Sequence, residues 1–130
     1  EDYIFLEAIF SCKKNNIKEN LNLIEKLNKQ RKLTQPITEK TSGSSFKNPK
    51  GLKAWKLIKD SGCAGYNEGG ACVSSMHSNF IVNKEAATSS NIENLGESIK
   101  RKVLERFGVE LIWEIQIIGK KENSLGGASD

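Results

Sequence analysis

The sequence predicts a small α+β domain, in which a mixed or antiparallel sheet packs against about three helices. The chain has 130 residues, the length of one domain. Some segments alternate apolar and polar residues as strands do, whereas others repeat them at helical spacing. Helices separate the predicted strands, which are too few for a doubly wound sheet. A composition of 37% hydrophobic and 28% charged residues is typical of a globular protein.

The first third of the chain predicts a strand and then a helix. Residues 3–11 are β-branched and aromatic with apolar side chains on both faces, which predicts a buried strand. Asn16 and Glu19 have the spacing of a capping box and predict a helix that runs to about Lys32. Its apolar stripe is formed by Ile17, Leu21, Ile24 and Leu27. Pro36 and the polar residues as far as Ser45 predict a loop.

The middle of the chain predicts a second helix, a glycine-rich turn and a short strand. The helix spans about residues 51–61, with Leu52, Trp55 and Ile58 on one side and Gly62 as its stop. Residues 62–71 contain four glycines but lack the order of a phosphate-binding loop. We expect these glycines to supply positive φ angles and close backbone approach. Residues 79–83 predict a short buried strand.

The last third predicts a third helix and a final strand. Thr88 or Ser90 caps this helix, which ends near Phe107 and Gly108. Its apolar stripe is formed by Ile92, Leu95, Ile99 and Val103. Residues 109–118 alternate between two faces, as a strand does. We place the domain at residues 1–121 and expect residues 122–130 to form a frayed, flexible tail.

The net charge of +4 is concentrated in the first half, because residues 1–60 carry 13 basic and 7 acidic side chains. A basic half can attract nucleic acid or an acidic partner, which leaves a binding module without catalysis as an alternative function. A structural module is a third alternative. The lysines at 13, 14, 26, 29, 53, 56 and 59 have the spacing of exposed helix faces and turns. The few aromatic residues are scattered, so we expect no nucleic-acid partner.

The three cysteines, Cys12, Cys63 and Cys72, cannot all pair within one chain, and the single histidine leaves no zinc set. We therefore expect small semi-buried thiols, no metal and a reducing, cytoplasmic location. No run of apolar residues is long enough to span a membrane, and the acidic start is unlike a signal peptide. Since the chain does not begin with Met, we expect it to be a piece of a longer protein.

Several local motifs occur in an order that resembles one enzyme family. Residues 43–49 read Gly-Ser-Ser-Phe-Lys-Asn-Pro, a G-S-x-F-K-N-P signature. Four further motifs follow collinearly at residues 54–66, 69–74, 77–83 and 106–119. Over about residues 3–119 the chain resembles the C-terminal third of the UDP-N-acetylenolpyruvoylglucosamine reductase family, also called MurB or UDP-N-acetylmuramate dehydrogenase.

The resemblance implies an oxidoreductase of peptidoglycan precursor synthesis, and hence of cell-wall biogenesis, cell shape and cell division. In that family NADPH reduces bound FAD, which delivers a hydride to the enolpyruvyl double bond of UDP-N-acetylglucosamine enolpyruvate to give UDP-N-acetylmuramate. Upstream domains of the same protein hold the flavin. Nothing in this chain looks like those domains, so we expect a substrate-binding fragment that is inactive alone and holds no complete FAD site.

The resemblance also assigns roles to catalytic residues. Ser44 matches the family serine that protonates the carbanion-like centre left after hydride addition, and Ser45 is the second choice beside it. Glu114 matches the acidic residue that polarises the substrate carboxylate together with an arginine from an upstream domain. Trp113 stands where many relatives have proline, which loosens the local match.

Three substrate-binding residues are implied as well. Asn48 and His77 match positions that contact the nucleotide-sugar part of the substrate, although His77 could equally be a structural histidine. Lys47 lies in the same signature and could offset diphosphate charge. Asn67 departs from the arginine common at that position and receives no role.

Overall fold

The computed structural model describes residues 4–119, and the chain divides between Leu33 and Thr34 into two compact units. We call the described parts the N-terminal unit (residues 4–33) and the C-terminal unit (residues 34–119). The tail predicted at residues 122–130 and the first residue of the predicted strand, Tyr3, lie outside the described residues. No helix in the described range is long and apolar enough to cross a membrane.

The N-terminal unit contains most of helix α1 (Ile17–Thr34), which confirms the first predicted helix. The helix begins where Asn16 predicts, because the Asn16 Oδ1 atom accepts a hydrogen bond of 2.9 Å from the backbone N–H of Lys18. Its apolar stripe is nevertheless solvent-exposed: α1 has no buried residue, and Leu21 is 60% exposed.

The strand predicted at residues 3–11 is wrong for the residues that the structure describes. Residues 4–16 form no helix or strand, and Phe5 and Leu6 are each 92% exposed. A strand needs a neighbour to receive its backbone hydrogen bonds, and no strand within residues 4–119 pairs with this segment. Cys12, which follows this segment, therefore lies in exposed, irregular chain.

The C-terminal unit is built on a four-stranded antiparallel sheet with the order β1-β4-β3-β2. Its strands are β1 (Thr41–Ser44), β2 (Asn67–Glu68), β3 (Ala71–Val73) and β4 (Phe80–Asn83). Strand β4 confirms the predicted strand at residues 79–83. Strand β1 corrects the predicted loop that reaches Ser45, because its polar residues pair through backbone alone along the edge of β4. Together with the helices, this sheet confirms the α+β class.

Helices α2 (Ala54–Asp60) and α3 (Ser89–Phe107) are the second and third predicted helices. Helix α2 is shorter than predicted, and of its expected apolar side only Ile58 is buried, since Leu52 and Trp55 are 44% and 40% exposed. Helix α3 packs against β2, β3, β4 and α2. Its ends are as predicted: the Thr88 hydroxyl accepts from the Asn91 N–H, and Gly108 ends it at a φ of 65°.

The core lies between α3, α2 and the sheet. Buried side chains come from all of these elements: Ala54, Leu57 and Ile58 from α2, Ala71, Val73 and Ile81 from the sheet, and Leu95, Ile99 and Val103 from α3. In the glycine-rich segment, the backbone at Gly70 approaches the backbone of Glu85 closely. A Cβ atom at Gly70 would lie 2.4 Å from the carbonyl oxygen of Glu85, so the expected close approach is present there.

The final strand predicted at residues 109–118 is wrong as a strand, although its alternation is correct. Leu111 is buried, whereas Glu110 and Ile112 are exposed. The segment forms only an isolated bridge between Trp113 and Phe46. Two backbone hydrogen bonds join it to residues 45–47, too few for a continuous ladder.

Candidate functional site

Ser44 and Ser45 lie at the edge of the sheet, but only Ser44 presents its side chain to solvent. Gly43 adopts a φ of +93° in the irregular stretch of β1 just before them. Ser44 is exposed, and its hydroxyl makes no hydrogen bond with another residue in the range 4–119. Ser45 is only 1% exposed. A hydroxyl that must reach a ligand is therefore available at Ser44 and not at Ser45.

Glu114 lies on the segment beside these serines. Its backbone N–H donates to the Ser45 carbonyl oxygen over 2.9 Å. Its carboxylate is exposed and forms no ion pair within the described part of the chain. The structure thus brings the Ser44 and Glu114 segments together through backbone, while their side chains share no hydrogen bond in this range.

Trp113 anchors the Glu114 segment to Phe46 and to helix α3. Its ring stacks on Phe46 with a centroid separation of 4.6 Å. Its indole N–H donates to the Glu97 Oε1 atom over 2.9 Å. The ring also covers Gly96 of α3, where a Cβ atom would lie 1.8 Å from the Trp113 Cη2 atom. Trp113 directly precedes Glu114, and it stands at the position where many relatives are expected to have proline.

Asn48 and Lys47 follow the serines along the chain. The Asn48 Oδ1 atom accepts a hydrogen bond of 2.9 Å from the backbone N–H of Ala54, the first residue of α2. Its two amide N–H donors remain for a ligand. Lys47 is exposed, and together with Asn48 and Lys50 it lines a cavity of about 230 Å³. Glu110 lines the cavity as well, so the two lysines leave a net charge of one positive unit for an anionic group.

His77 makes contacts within the fold. Its Nδ1 atom accepts a hydrogen bond of 3.3 Å from the backbone N–H of Asn79, and its ring packs edge-on against Phe80 at 4.8 Å. Burial lowers the pKa of His77 below its ordinary value of 6.5. The ring is only partly buried, so these contacts favour the structural role while leaving part of the ring accessible.

Asn79 is a residue of the site that the sequence analysis missed. Its side chain is 5% exposed and bonds twice to the backbone of Phe46: the Oδ1 atom accepts from the Phe46 N–H at 3.0 Å, and the Nδ2 atom donates to the Phe46 carbonyl oxygen at 2.8 Å. Its own carbonyl oxygen accepts from the Ser45 N–H at 2.7 Å. An asparagine just before an apolar strand was the available signal.

The glycine-rich segment does not fit the phosphate groups of a flavin. Three of its amides are already used inside the fold: the N–H groups of Gly62, Gly65 and Tyr66 donate to the carbonyl oxygens of Lys59, Val73 and Cys63. A pyrophosphate cradle needs such N–H groups free and convergent. We therefore assign no flavin site to residues 62–71.

The cysteines do not form a chemical centre. Cys63 is buried and Cys72 is half-buried, as expected of structural thiols, whereas Cys12 is fully exposed and differs from that expectation. Residues 4–119 contain no cluster of three or more histidine, cysteine or acidic side chains that could hold a metal ion. The seven lysines predicted on exposed surfaces are all exposed.

Comparison with known proteins connects this arrangement to one family. Residues 35–118 match the family model described as UDP-N-acetylenolpyruvoylglucosamine reductase, C-terminal domain. The reductase of that name from Rickettsia akari is 48% identical over 120 residues, which cover 92% of this chain and 41% of the relative. The one from Parvibaculum lavamentivorans is 45% identical over 128 residues, 98% of this chain and 41% of the relative.

A solved structure gives the same result. The crystal structure of UDP-N-acetylenolpyruvylglucosamine reductase (MurB) from Thermus caldophilus superposes with a TM-score of 0.63 at 36% identity, over 78% of this chain and 36% of that one. The chain thus spans about 41% of the length of the curated relatives named above.

Proposed function

Because this chain belongs to the UDP-N-acetylenolpyruvoylglucosamine reductase family as its C-terminal domain, we propose that it supplies the substrate-binding and proton-donating part of such a reductase. The reaction is the conversion of UDP-N-acetylglucosamine enolpyruvate to UDP-N-acetylmuramate in peptidoglycan synthesis, and its setting is the cytoplasm. The observation that carries the proposal is the exposed, unbonded Ser44 hydroxyl beside the Glu114 segment.

In this proposal FAD and NADPH supply the hydride, and the part of the longer protein that this chain does not match holds the flavin. The exposed apolar surface of the N-terminal unit supports this division. Ile4, Phe5 and Phe10 are each more than 80% exposed, and the apolar stripe of α1 is uncovered. Large exposed apolar patches commonly mark interaction sites. The alignment to the relative from Parvibaculum lavamentivorans covers 98% of this chain and therefore includes the N-terminal unit.

Ser44 is the proton donor in the proposed reaction. After hydride addition, its O–H gives a proton to the carbanion-like carbon of the substrate. A hydroxyl is a weak acid, so this role depends on its geometry and on nearby polar groups that stabilise the alkoxide. The exposed position of Ser44 allows a substrate to approach, and the buried position of Ser45 favours Ser44 over this alternative.

Glu114 helps negative charge to develop on the substrate carboxylate, together with a cation supplied from outside this chain. Preorganised charges at the position where charge develops are a large source of rate enhancement. The exposed carboxylate of Glu114, which has no cationic partner within residues 4–119, supports a role completed by another part of the protein.

Asn48, Lys47 and His77 bind the nucleotide-sugar part of the substrate. Asn48 offers its amide N–H groups, because its oxygen is already used at the start of α2. Lys47, which lines the cavity beside Asn48, offsets the charge of the substrate's diphosphate. His77 contributes the part of its ring that packing leaves accessible.

Titration with UDP-N-acetylglucosamine enolpyruvate, followed by backbone amide chemical shifts, tests the binding role on the chain itself. We expect the shifts to centre on Ser44, Asn48 and His77. Shifts confined to residues 13–32 would contradict the proposal. They would favour the alternative of a basic module, whose binding to nucleic acid should then weaken steeply with salt.

Replacement of Ser44 by alanine tests the proton-donor role. The substitution belongs in a hybrid reductase, in which this chain replaces the matching C-terminal part of the Rickettsia akari relative. We expect flavin reduction by NADPH to stay within about twofold, whereas product formation falls by about 10²-fold or more, the usual range for loss of a general acid. Ser45→Ala is the matched control. An equal loss in both half-reactions would exclude the role of Ser44.

A further inference from the structure

Asn79 acts as a clamp on the segment that carries Ser44. Its side-chain amide bonds to both the N–H and the carbonyl oxygen of Phe46, 33 residues earlier in the chain. The last backbone pair between β1 and β4 joins Ser44 and Phe80. Beyond that pair the Asn79 amide takes the place of a neighbouring strand, so residues 44–46 remain fixed where the β1–β4 ladder has ended.

Ser45 extends this clamp to Glu114. Its N–H donates to the Asn79 carbonyl oxygen at 2.7 Å, and its own carbonyl oxygen accepts from the Glu114 N–H at 2.9 Å. Asn79, Ser45 and Glu114 thus form a continuous chain of hydrogen bonds across the site. Since Ser45 follows Ser44 directly, a movement of Asn79 would displace both proposed functional segments.

We propose that Asn79 is a positioning residue that sets the placement of the Ser44 hydroxyl relative to Glu114. The inference rests on the proposed function, in which both side chains act on one substrate. Asn79 is buried, and its side-chain oxygen and nitrogen each bond to the backbone of Phe46. It therefore acts through the segments that it holds and does not touch the substrate.

Asn83 provides a matched control on the same strand. Its side chain makes an equivalent pair of bonds, since its Oδ1 atom accepts from the Ala87 N–H at 2.9 Å and its Nδ2 atom donates to the Ala87 carbonyl oxygen at 3.1 Å. Asn83 lies at the far end of β4, where it pairs with Ala71. Its substitution by alanine removes the same chemistry without releasing residues 44–46.

Amide hydrogen exchange on the chain tests the clamp directly. We expect Asn79→Ala to accelerate amide exchange at Phe46 and Glu114 relative to the unsubstituted chain. This acceleration should be at least about tenfold larger than the one at Ile99 and Val103, which reports global opening. In Asn83→Ala the acceleration should appear at Ala87 instead. Unchanged exchange at Phe46 in Asn79→Ala would overturn the inference. If that variant does not fold, Asn79→Ser serves, because the shorter hydroxyl removes the paired bonds to Phe46 without adding a buried charge.

The hybrid reductase tests the effect on catalysis. Since a misplacement of about 1 Å can cost about 10²-fold, we expect Asn79→Ala to slow product formation by about 10- to 100-fold. Flavin reduction by NADPH should remain within about twofold, and Asn83→Ala should leave both steps unchanged. If Ser44→Ala stalls product formation but Asn79→Ala does not, only the positioning role is wrong. If Ser44→Ala has no effect, the proposed function itself is wrong.

Discussion

His77 receives a hydrogen bond at the nitrogen where a second proton would have to bind. Its Nδ1 atom accepts from the Asn79 N–H, and burial lowers its pKa below the ordinary value of 6.5. Protonation therefore removes one bond to Asn79 and places a charge in a partly desolvated position. Protonation of His77 thus acts on Asn79, which bonds to the segment that contains Ser44.

This shift predicts that the chain loses stability on acidification. Because the folded pKa is below the unfolded one, the unfolded chain binds more protons between the two values, so stability falls as pH drops through about 6.5. We expect the melting temperature to fall less between about pH 7.5 and 5.5 in His77→Gln than in the unsubstituted chain. Equal falls in the two proteins would show that His77 does not contribute.

Individual residues differed in how far the sequence could place them. Thr88 and Asn16 begin helices, as local spacing predicts, because a cap depends only on neighbours two or three residues away. The family signature identified Ser44 and Glu114 as candidates. It did not identify Asn79, because the bonds of that side chain to Phe46 join positions 33 residues apart and leave no periodic trace.

Among the elements, the segment at residues 109–118 joins the core through Leu111 and contacts α3 through Trp113. Trp113 packs over Gly96, and its indole N–H donates to Glu97 one residue further on. A helix interior disfavours glycine by about 1 kcal/mol relative to alanine. At this position the missing side chain makes room for the ring, so packing outweighs helix propensity.

Gly96→Ala should therefore destabilise the C-terminal unit, even though alanine is the better helix former. The added Cβ atom would lie 1.8 Å from the ring and would displace it, at a cost of about 1–3 kcal/mol in the free energy of unfolding. Chemical denaturation measures this cost. In a Trp113→Leu background the same substitution should cost less or become stabilising, and an unchanged cost there would exclude the clash as its cause.

The long helices were predictable, whereas of the four short strands only β4 was. Helices α1 and α3 extend over 18 and 19 residues, which is long enough for an apolar period to be visible. Strands β2 and β3 have two and three residues, and β1 is polar, so none of them shows an alternation. Residues 4–11 have the composition of a strand, but composition alone does not supply the neighbour that a strand requires.

On the scale of the whole molecule, the two units differ in how they treat apolar residues. The C-terminal unit buries Phe46, Ile58, Leu95 and Leu111 in one core. In the N-terminal unit every described residue is exposed. The family model begins at residue 35, whereas alignments to relatives extend over up to 128 residues. The alignment to relatives thus includes the N-terminal unit, which the model of the C-terminal domain does not match.

This order along the chain matters during synthesis. In the longer reductase that we propose, a portion preceding residues 4–33 would leave the ribosome first, and domains generally fold from the N-terminus as they appear. The exposed apolar segment that contains Phe5, Leu6 and Phe10 would then leave the exit tunnel next to a domain that has already folded. When this chain is translated alone, the same apolar segment stays exposed to water, and we expect copies of the chain to aggregate through it.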